Sequence, residues 1–454
     1  MPPFSIEVSL SRDEPITSAV HRFVKLGGLM GRVGASVTGS QLLGLARSDL
    51  SKQAKRTENL VRNATRIVRT LGELKGAAMK VGQMLSLHEG LLPPEVSEVL
   101  RSLQKEAPKV PSEVMEYEIR GSLKNFDDLF DSMEAEAFAA ASIGQVHRAR
   151  LKDGRQVAVK IQYPLIDEIV RADLKNLRVL MRSLFALFSE IDFDPVWREV
   201  QDRLLEELDY THEAANTKRL SELHADVPEI VIPRVIEEAT TNRVLTMEFV
   251  EAIPPQQACS ERFGRDLRNR WGIVLFEFLL RGLFEHRFLH ADPNLANFSF
   301  LEDGRVVVYD FGCVKRIPAE LADGYSCLFR AAAHGNKDDI PQILFDIGVF
   351  RETKKGKRAL PGELIEPYFD LFAEVLRENP PYVFGENEQL YRRLLELGLV
   401  NWSEAADICF PEDVVFIDRA LAGHFGNLNR LQAVGPWRDL VLKYARGGVS
   451  GTRV

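Results

Sequence analysis
The 454-residue chain has only four cysteines, Cys259, Cys313, Cys327 and Cys409, and none of them form a CxxC pair. So sparse a set excludes a disulfide scaffold, offers no cysteine zinc site and suits a reducing compartment. Long apolar runs are also missing. The most apolar region, Val274 to Leu289, is broken at helical spacing by Glu277, Arg281 and Glu285. It reads as a helix with a polar face and not as a membrane span. The opening MPPFSIEVSLSRDEP lacks a basic stretch leading into an apolar core and carries acids early. Neither a secretion signal nor a transit peptide is expected there, and a cytoplasmic protein, peripheral on a membrane at most, is the expectation. There is no low-complexity tract and no internal repeat. Nor is there an excess of positive charge: the net value is −8, which argues against a nucleic-acid binder.

What is present supports a real core, with 45% hydrophobic residues over a length sufficient for two or three units. Charge is unevenly spread. The first 70 residues hold eleven Lys/Arg against five Asp/Glu, making a basic arm on an acidic body, a combination that suits an anionic lipid surface. Residues 1–50 form that arm. Val20, Phe23, Val24, Met30, Val33 and Val37 approximate one helical face, and Gly27, Gly31 and Ala35 fall four apart. Residues 51–123 follow the three-four rhythm of helices, with Pro93-Pro94 and Pro111-Ser112 marking helix starts. Residues 124–250 read as strands interrupted by helices at Asp173–Phe188 and Val196–Leu223. PRVIEEA and VLTMEFV are expected to make a hairpin around TTNR. Residues 251–454 are mainly helical apart from the small hairpin FSFLEDGRVVVYD.

Three segments carry chemistry. GQVHRARL and QVAVKIQ flank a KDGR turn and predict a hairpin with Lys160 on its second strand. A buried lysine needs a partner, and behind a tight small-residue turn that partner is phosphate. HADPNLANF places Asp292 and Asn297 five apart, the spacing of base and metal ligand in kinase catalytic loops. VVVYDFG puts Asp310 at a strand end, where a carboxylate can join Mg²⁺ to phosphate oxygens. MEFV, ending at Val250, stands where a hinge would let the Glu248 carbonyl and Val250 amide hold adenine. After Gly312 no long activation segment and no APE follow, and a helix is expected from about Pro318. A protein kinase lacking its peptide platform is not a general protein kinase.

With these residues in place the chain resembles the UbiB family of atypical kinase-like proteins over about residues 60–430. KVGQ, Lys80 to Gln83, matches the family's KxGQ signature, and Ala139, Ala140, Ala141 and Ser142 match its alanine-rich replacement for the glycine loop. Glu207-Leu208-Asp209 matches its ExD motif, and Glu213 stands where the acid pairing with Lys160 is expected. Two features depart from the family. HADPNLAN carries Asn294 and Ala296 where HADPHPGN is frequent, and the paired membrane helices that end some members are missing.

The resemblance implies an α+β, protein-kinase-like bilobal fold with an N-terminal helical extension that folds over the cleft. It implies ATP and Mg²⁺ as cofactors and Lys160, Glu213, Asp292, Asn297 and Asp310 as the catalytic set. Lys80 and Gln83, together with Glu207 and Asp209, would regulate by blocking generic protein substrates. The implied partners are an anionic membrane, a prenylated lipid or quinone precursor, and enzymes of quinone biosynthesis. An alanine's Cβ obstructs the close backbone approach that glycine permits, so the AAAS loop is expected to restrain nucleotide handling. A small-molecule phosphotransferase of the aminoglycoside or choline type shares the Asp-to-Asn spacing but is not expected to carry KxGQ with AAAS. A non-catalytic, nucleotide-gated lipid-binding scaffold is the other alternative.

Overall fold
A computed structural model describes residues 110–172, 193–385 and 408–446, leaving out single positions such as Ser142, together with a few residues between 173 and 192. Lys80, Gln83 and the arm at 1–50 lie outside the described residues. The chain divides into two compact units. The first runs to Tyr210 and takes in Glu237–Thr246, and the second holds Thr211–Ile236 and everything from Met247 on.

The first unit is built on a five-stranded antiparallel sheet. Its strands are β1 (Phe130–Met133), β2 (Ala139–Ala140), β3 (Gly144–Leu151), β4 (Gln156–Gln162) and β6 (Val244–Glu248), in the order β1-β3-β4-β6 with β2 beside β3. β3 and β4 pair in one continuous register from Gly144↔Gln162 to Arg150↔Gln156. Their turn is closed by Asp153, whose Oδ1 accepts from the Arg155 amide at 3.0 Å, as a DG turn between alternating strands requires. Helix α1 (Ser112–Ser122) starts after Pro111, where a proline is readily accommodated. It buries Met115 and Ile119, and Ser122 and Thr241 share a 2.7 Å hydroxyl hydrogen bond. Just before it, the Val110 amide and carbonyl are both held at 3.2 Å by the buried Gln145 side chain on β3.

Two expectations for residues 196–250 are corrected. The continuous helix expected over Val196–Leu223 is two helices, α2 (Phe193–Glu206) and α3 (Tyr210–Leu223), broken at Glu207-Leu208-Asp209. The break is fixed from outside the segment. Gln162 Nε2 donates to the Leu208 carbonyl at 2.8 Å, and the Tyr210 amide donates to the Asn242 carbonyl at 3.0 Å. The hairpin expected of PRVIEEA with VLTMEFV is also not formed. Glu237–Ala239 is a 3₁₀ turn, and in place of a ladder the segments meet at the Val235–Met247 bridge and the bond from the Glu248 amide to the Arg234 carbonyl. Thr240 and Thr241 capture the Thr246, Arg243 and Val244 amides through their hydroxyls, which competes with ladder pairing.

The second unit is mainly helical. α4 (Arg265–Leu280) is buried along most of its length and is followed by a π-turn, Arg281–Glu285. α5 (Ala319–His334) begins after Pro318, as expected, and α6 (Gly362–Val375), α7 (Glu412–Leu431) and α8 (Trp437–Tyr444) follow. The aromatic side chains Trp271, Phe276, Phe298, Phe329, Phe384 and Trp437 fill the core between them. Short strands edge this core. β8 (Phe298–Phe300) pairs with β9 (Val306–Val308), which lies parallel to β5 (Ile230–Val231), and β7 (Phe288–His290) pairs with β10 (Val314–Arg316). Three further strands, β11 (Phe350–Thr353), β12 (Gly356–Arg358) and β13 (Ile408–Cys409), make a separate sheet. No helix among the described residues is long and apolar enough to cross a membrane.

Candidate active site
In the first unit, alternation along β4 turns Val157, Val159 and Ile161 inward. The next face is buried as well, so Lys160 is only 9% exposed. Its Nζ lies 5.0 Å from the ring centroid of Tyr210, over which a cation is stabilised. Two residues on, Gln162 holds the Leu208 carbonyl, so Glu207 and Asp209 flank a point anchored to the strand of Lys160. The alanine loop is part of the sheet. Ala139 pairs with Val146 and Ala140 with Gln145, while the Phe138 and Ala141 amides donate to β3 carbonyls at 3.0 and 2.9 Å. Those two donors are spent on the ladder and are not offered to an anion. Ser142 lies outside the described residues.

In the second unit the order β7, loop, β8, turn, β9 brings Asp292, Asn297 and Asp310 close along the chain path. The loop is shaped locally. Asn294 caps a 3₁₀ turn over Leu295–Asn297 by accepting from the Ala296 amide at 3.1 Å. Asn297 Nδ2 donates to both the Asp292 carbonyl and Asp292 Oδ2 at 3.1 Å. This directs the amide nitrogen at Asp292 and leaves the amide oxygen as the group that can meet a cation. Asp310 sits at φ 54°, a left-handed conformation that aspartate tolerates better than most residues and that clusters at functional sites. Its Oδ1 accepts from the Gly312 amide at 3.2 Å.

Glu213, 5% exposed on α3, reaches the same turn. A Cβ added at Gly312 would stand 3.3 Å from Asp310 Oδ1 and 4.0 Å from Glu213 Oε2, so a glycine there keeps space between two carboxylates. A carboxylate and an amide oxygen are the hard oxygen donors Mg²⁺ takes, with phosphates and water completing the shell. The described residues hold no cluster of three or more His, Cys, Asp or Glu placed for a metal. Glu248 ends β6 with its carboxylate on Arg234 at 2.9 Å and its amide on the Arg234 carbonyl, and Val250 follows outside regular structure.

Reading the sequence missed several contributors. His290, buried before Asp292, donates from Nε2 to the Asp310 carbonyl at 2.8 Å, tying the two acidic segments together. Asn216 Nδ2 donates to the Phe311 carbonyl at 3.0 Å. His424 on α7 is buried against Phe298 and Phe278. Burial, with His290 adding to it, pushes the His424 imidazole down to about 3, so it stays neutral. The position of Asn216, one helical turn beyond Glu213, was a signal available in the sequence; that of His424 was not.

Residues 102–344 match the model of the ABC1 atypical kinase-like domain. The chain is 34% identical over 445 residues to the mitochondrial atypical kinase COQ8B of Rattus norvegicus, covering 95% of this chain and 81% of that one. It is 32% identical to the mitochondrial atypical kinase coq-8 of Caenorhabditis elegans, covering 82% of this chain and 49% of that one. Among solved structures, a Mycobacterium tuberculosis protein in complex with erythromycin is 28% identical with a TM-score of 0.62. That match covers 87% of this chain and 98% of the other.

Proposed function
Because the chain belongs to the ABC1 atypical kinase-like, or UbiB, family and has its α+β kinase-like fold, we propose that it binds Mg-ATP and turns it over slowly at a membrane surface. The turnover serves isoprenoid-quinone synthesis of the ubiquinone type. The observation that carries this reading is the Asp292–Asn297 hydrogen bond at 3.1 Å, with His290 fixing Asp310 beside it. Asp292 orients the attacking hydroxyl or water and accepts its proton. Asp310 and the Asn297 amide oxygen hold the cation, and Lys160 steadies the phosphates with Glu213 as its acid. Bound Mg²⁺ would neutralise charge on the phosphate oxygens. Glu248 and Val250 offer backbone groups to adenine. Restraint comes from the alanine loop, whose Phe138 and Ala141 amides are committed to β3. Lys80 and Gln83, together with Glu207 and Asp209, serve to exclude peptide substrates.

The deciding measurement is ATP hydrolysis by the full chain with and without anionic liposomes and a quinone-precursor phenol. Stimulation by lipid and phenol, lost in Asp310→Asn, is expected, since losing a metal ligand costs several kcal/mol of transition-state stabilisation, on the order of 100-fold or more in rate. Phosphate transfer to a small alcohol would favour the small-molecule phosphotransferase instead. Nucleotide binding with no turnover would favour the scaffold.

A further inference from the structure
Helix α7 lies beyond the residues matched by the family model. Three of its residues, Arg419, Gly423 and Asn427, recur at every fourth position and so stand in line on one helix face. All three meet the segment Asp292-Pro293. Arg419 Nη2 is 3.8 Å from Asp292 Oδ1, with both side chains 22% exposed. Gly423 faces Pro293, and a Cβ there would overlap the proline ring. Asn427 is buried and donates from Nδ2 to the Pro293 carbonyl at 2.8 Å. Nearer the helix start, Asp413 pairs at 2.9 Å with Lys315 on β10, the strand that follows Asp310, and Lys315 also lies 4.3 Å over the Phe416 ring.

We propose that α7 is the positioning element of the catalytic loop and that Arg419 is the positioning residue through which it fixes the Asp292 carboxylate. The inference rests on the ATP-turnover reading above. A single hydrogen bond from Asn297 to Oδ2 leaves the carboxylate free to rotate about its Cβ–Cγ bond. A guanidinium 3.8 Å from Oδ1 adds an electrostatic restraint on the second oxygen. Partial burial shields the pair from the screening that makes exposed ion pairs weak. Protein kinases order their catalytic machinery through an activation segment. Here only a short stretch separates Asp310 from α5, and a packed helix, more rigid than a loop, takes over that task.

The alternative is that Arg419 is an ordinary helix-surface arginine. Alanine is the better helix former, so Arg419→Ala preserves the fold in either case. The test compares full-length wild type, Arg419→Ala and Arg419→Lys in ATP turnover, in thermal melting and in hydrogen exchange of the amides over residues 290–297. The expected result for Arg419→Ala is a kcat lower by about 10- to 100-fold, with KM for ATP within about two-fold and melting unchanged. Partial recovery in Arg419→Lys and faster exchange of the loop amides in Arg419→Ala are expected with it. A kcat within about two-fold of wild type in Arg419→Ala would overturn the proposal. So would a lysine variant no better than the alanine one. Absence of turnover in wild type would sink the functional reading alone. Loop exchange still decides the clamp in that event, and unchanged exchange would end it.

Discussion
Asn216 on α3 donates its side-chain amide to the carbonyl of Phe311, 95 residues further along the chain, at 3.0 Å. Glu213, one turn earlier on the same helix, lies beside Gly312. The helix that carries the expected partner of Lys160 is thereby fastened to the turn that carries Asp310. Asn216→Ala removes the donor from a part-buried carbonyl, which costs roughly 1–2 kcal/mol. Thermal melting should register that loss, and ATP turnover should fall by more than the small loss of folded protein accounts for.

Gly312→Ala should damage cation-dependent turnover more than folding. The new methyl group would press against Asp310 Oδ1 from 3.3 Å and displace it by a few tenths of an ångström, a shift smaller than the ~1 Å misplacement that costs on the order of 100-fold, so a loss of several-fold in rate is expected. Titrating Mg²⁺ into the ATPase reaction is the check, and a wild-type midpoint and rate would detach Gly312 from the site.

Ala140→Gly is expected to alter nucleotide affinity, tightening ADP, because a glycine there loosens β2 from β3 and permits closer backbone approach to phosphate. The stability cost for glycine in a strand is only about 0.5–1 kcal/mol. Calorimetric titration of both proteins separates the effects; equal affinities would mean that the alanines serve packing alone.

Stability should fall as pH drops from about neutral. Burial pushes His224 down to about 4 and His424 down to about 3, against an unfolded value near 6.5. Between those limits the unfolded chain takes up protons that the folded chain refuses. The free energy of unfolding therefore rises with pH across that window, by up to about 1.4 kcal/mol per unit for each histidine. His424→Phe keeps the contacts with Phe298 and Phe278 while removing one titration, so denaturant midpoints measured from pH 7 to 4.5 should decline less steeply than in wild type.

Where local chemistry decided the structure, the sequence was readable. The hairpin carrying Lys160, the FSF–VVV hairpin before Asp310 and the helix starts after Pro111 and Pro318 follow from turn residues, alternation and capping. Where distant groups decided it, the reading failed. The break between α2 and α3 depends on Gln162 and Asn242, far from the segment they interrupt. The missing hairpin near Pro233 depends on threonine hydroxyls that look innocuous in a strand pattern. In the candidate site, the approach of Asn297 to Asp292 was legible from their spacing. Arg419, Gly423 and Asn427 were not, because a stripe of one charged, one small and one amide residue carries no apolar rhythm.

The bond from Asn427 to Pro293 also bears on biosynthesis. The two residues are separated by 134 positions, so the loop emerges from the ribosome well before the helix that braces it. At ~5–20 residues per second, roughly 7–27 seconds pass between the two events. Throughout that interval the nascent chain holds its acidic residues without their brace, and a message cut short before codon 412 yields a protein lacking α7 altogether.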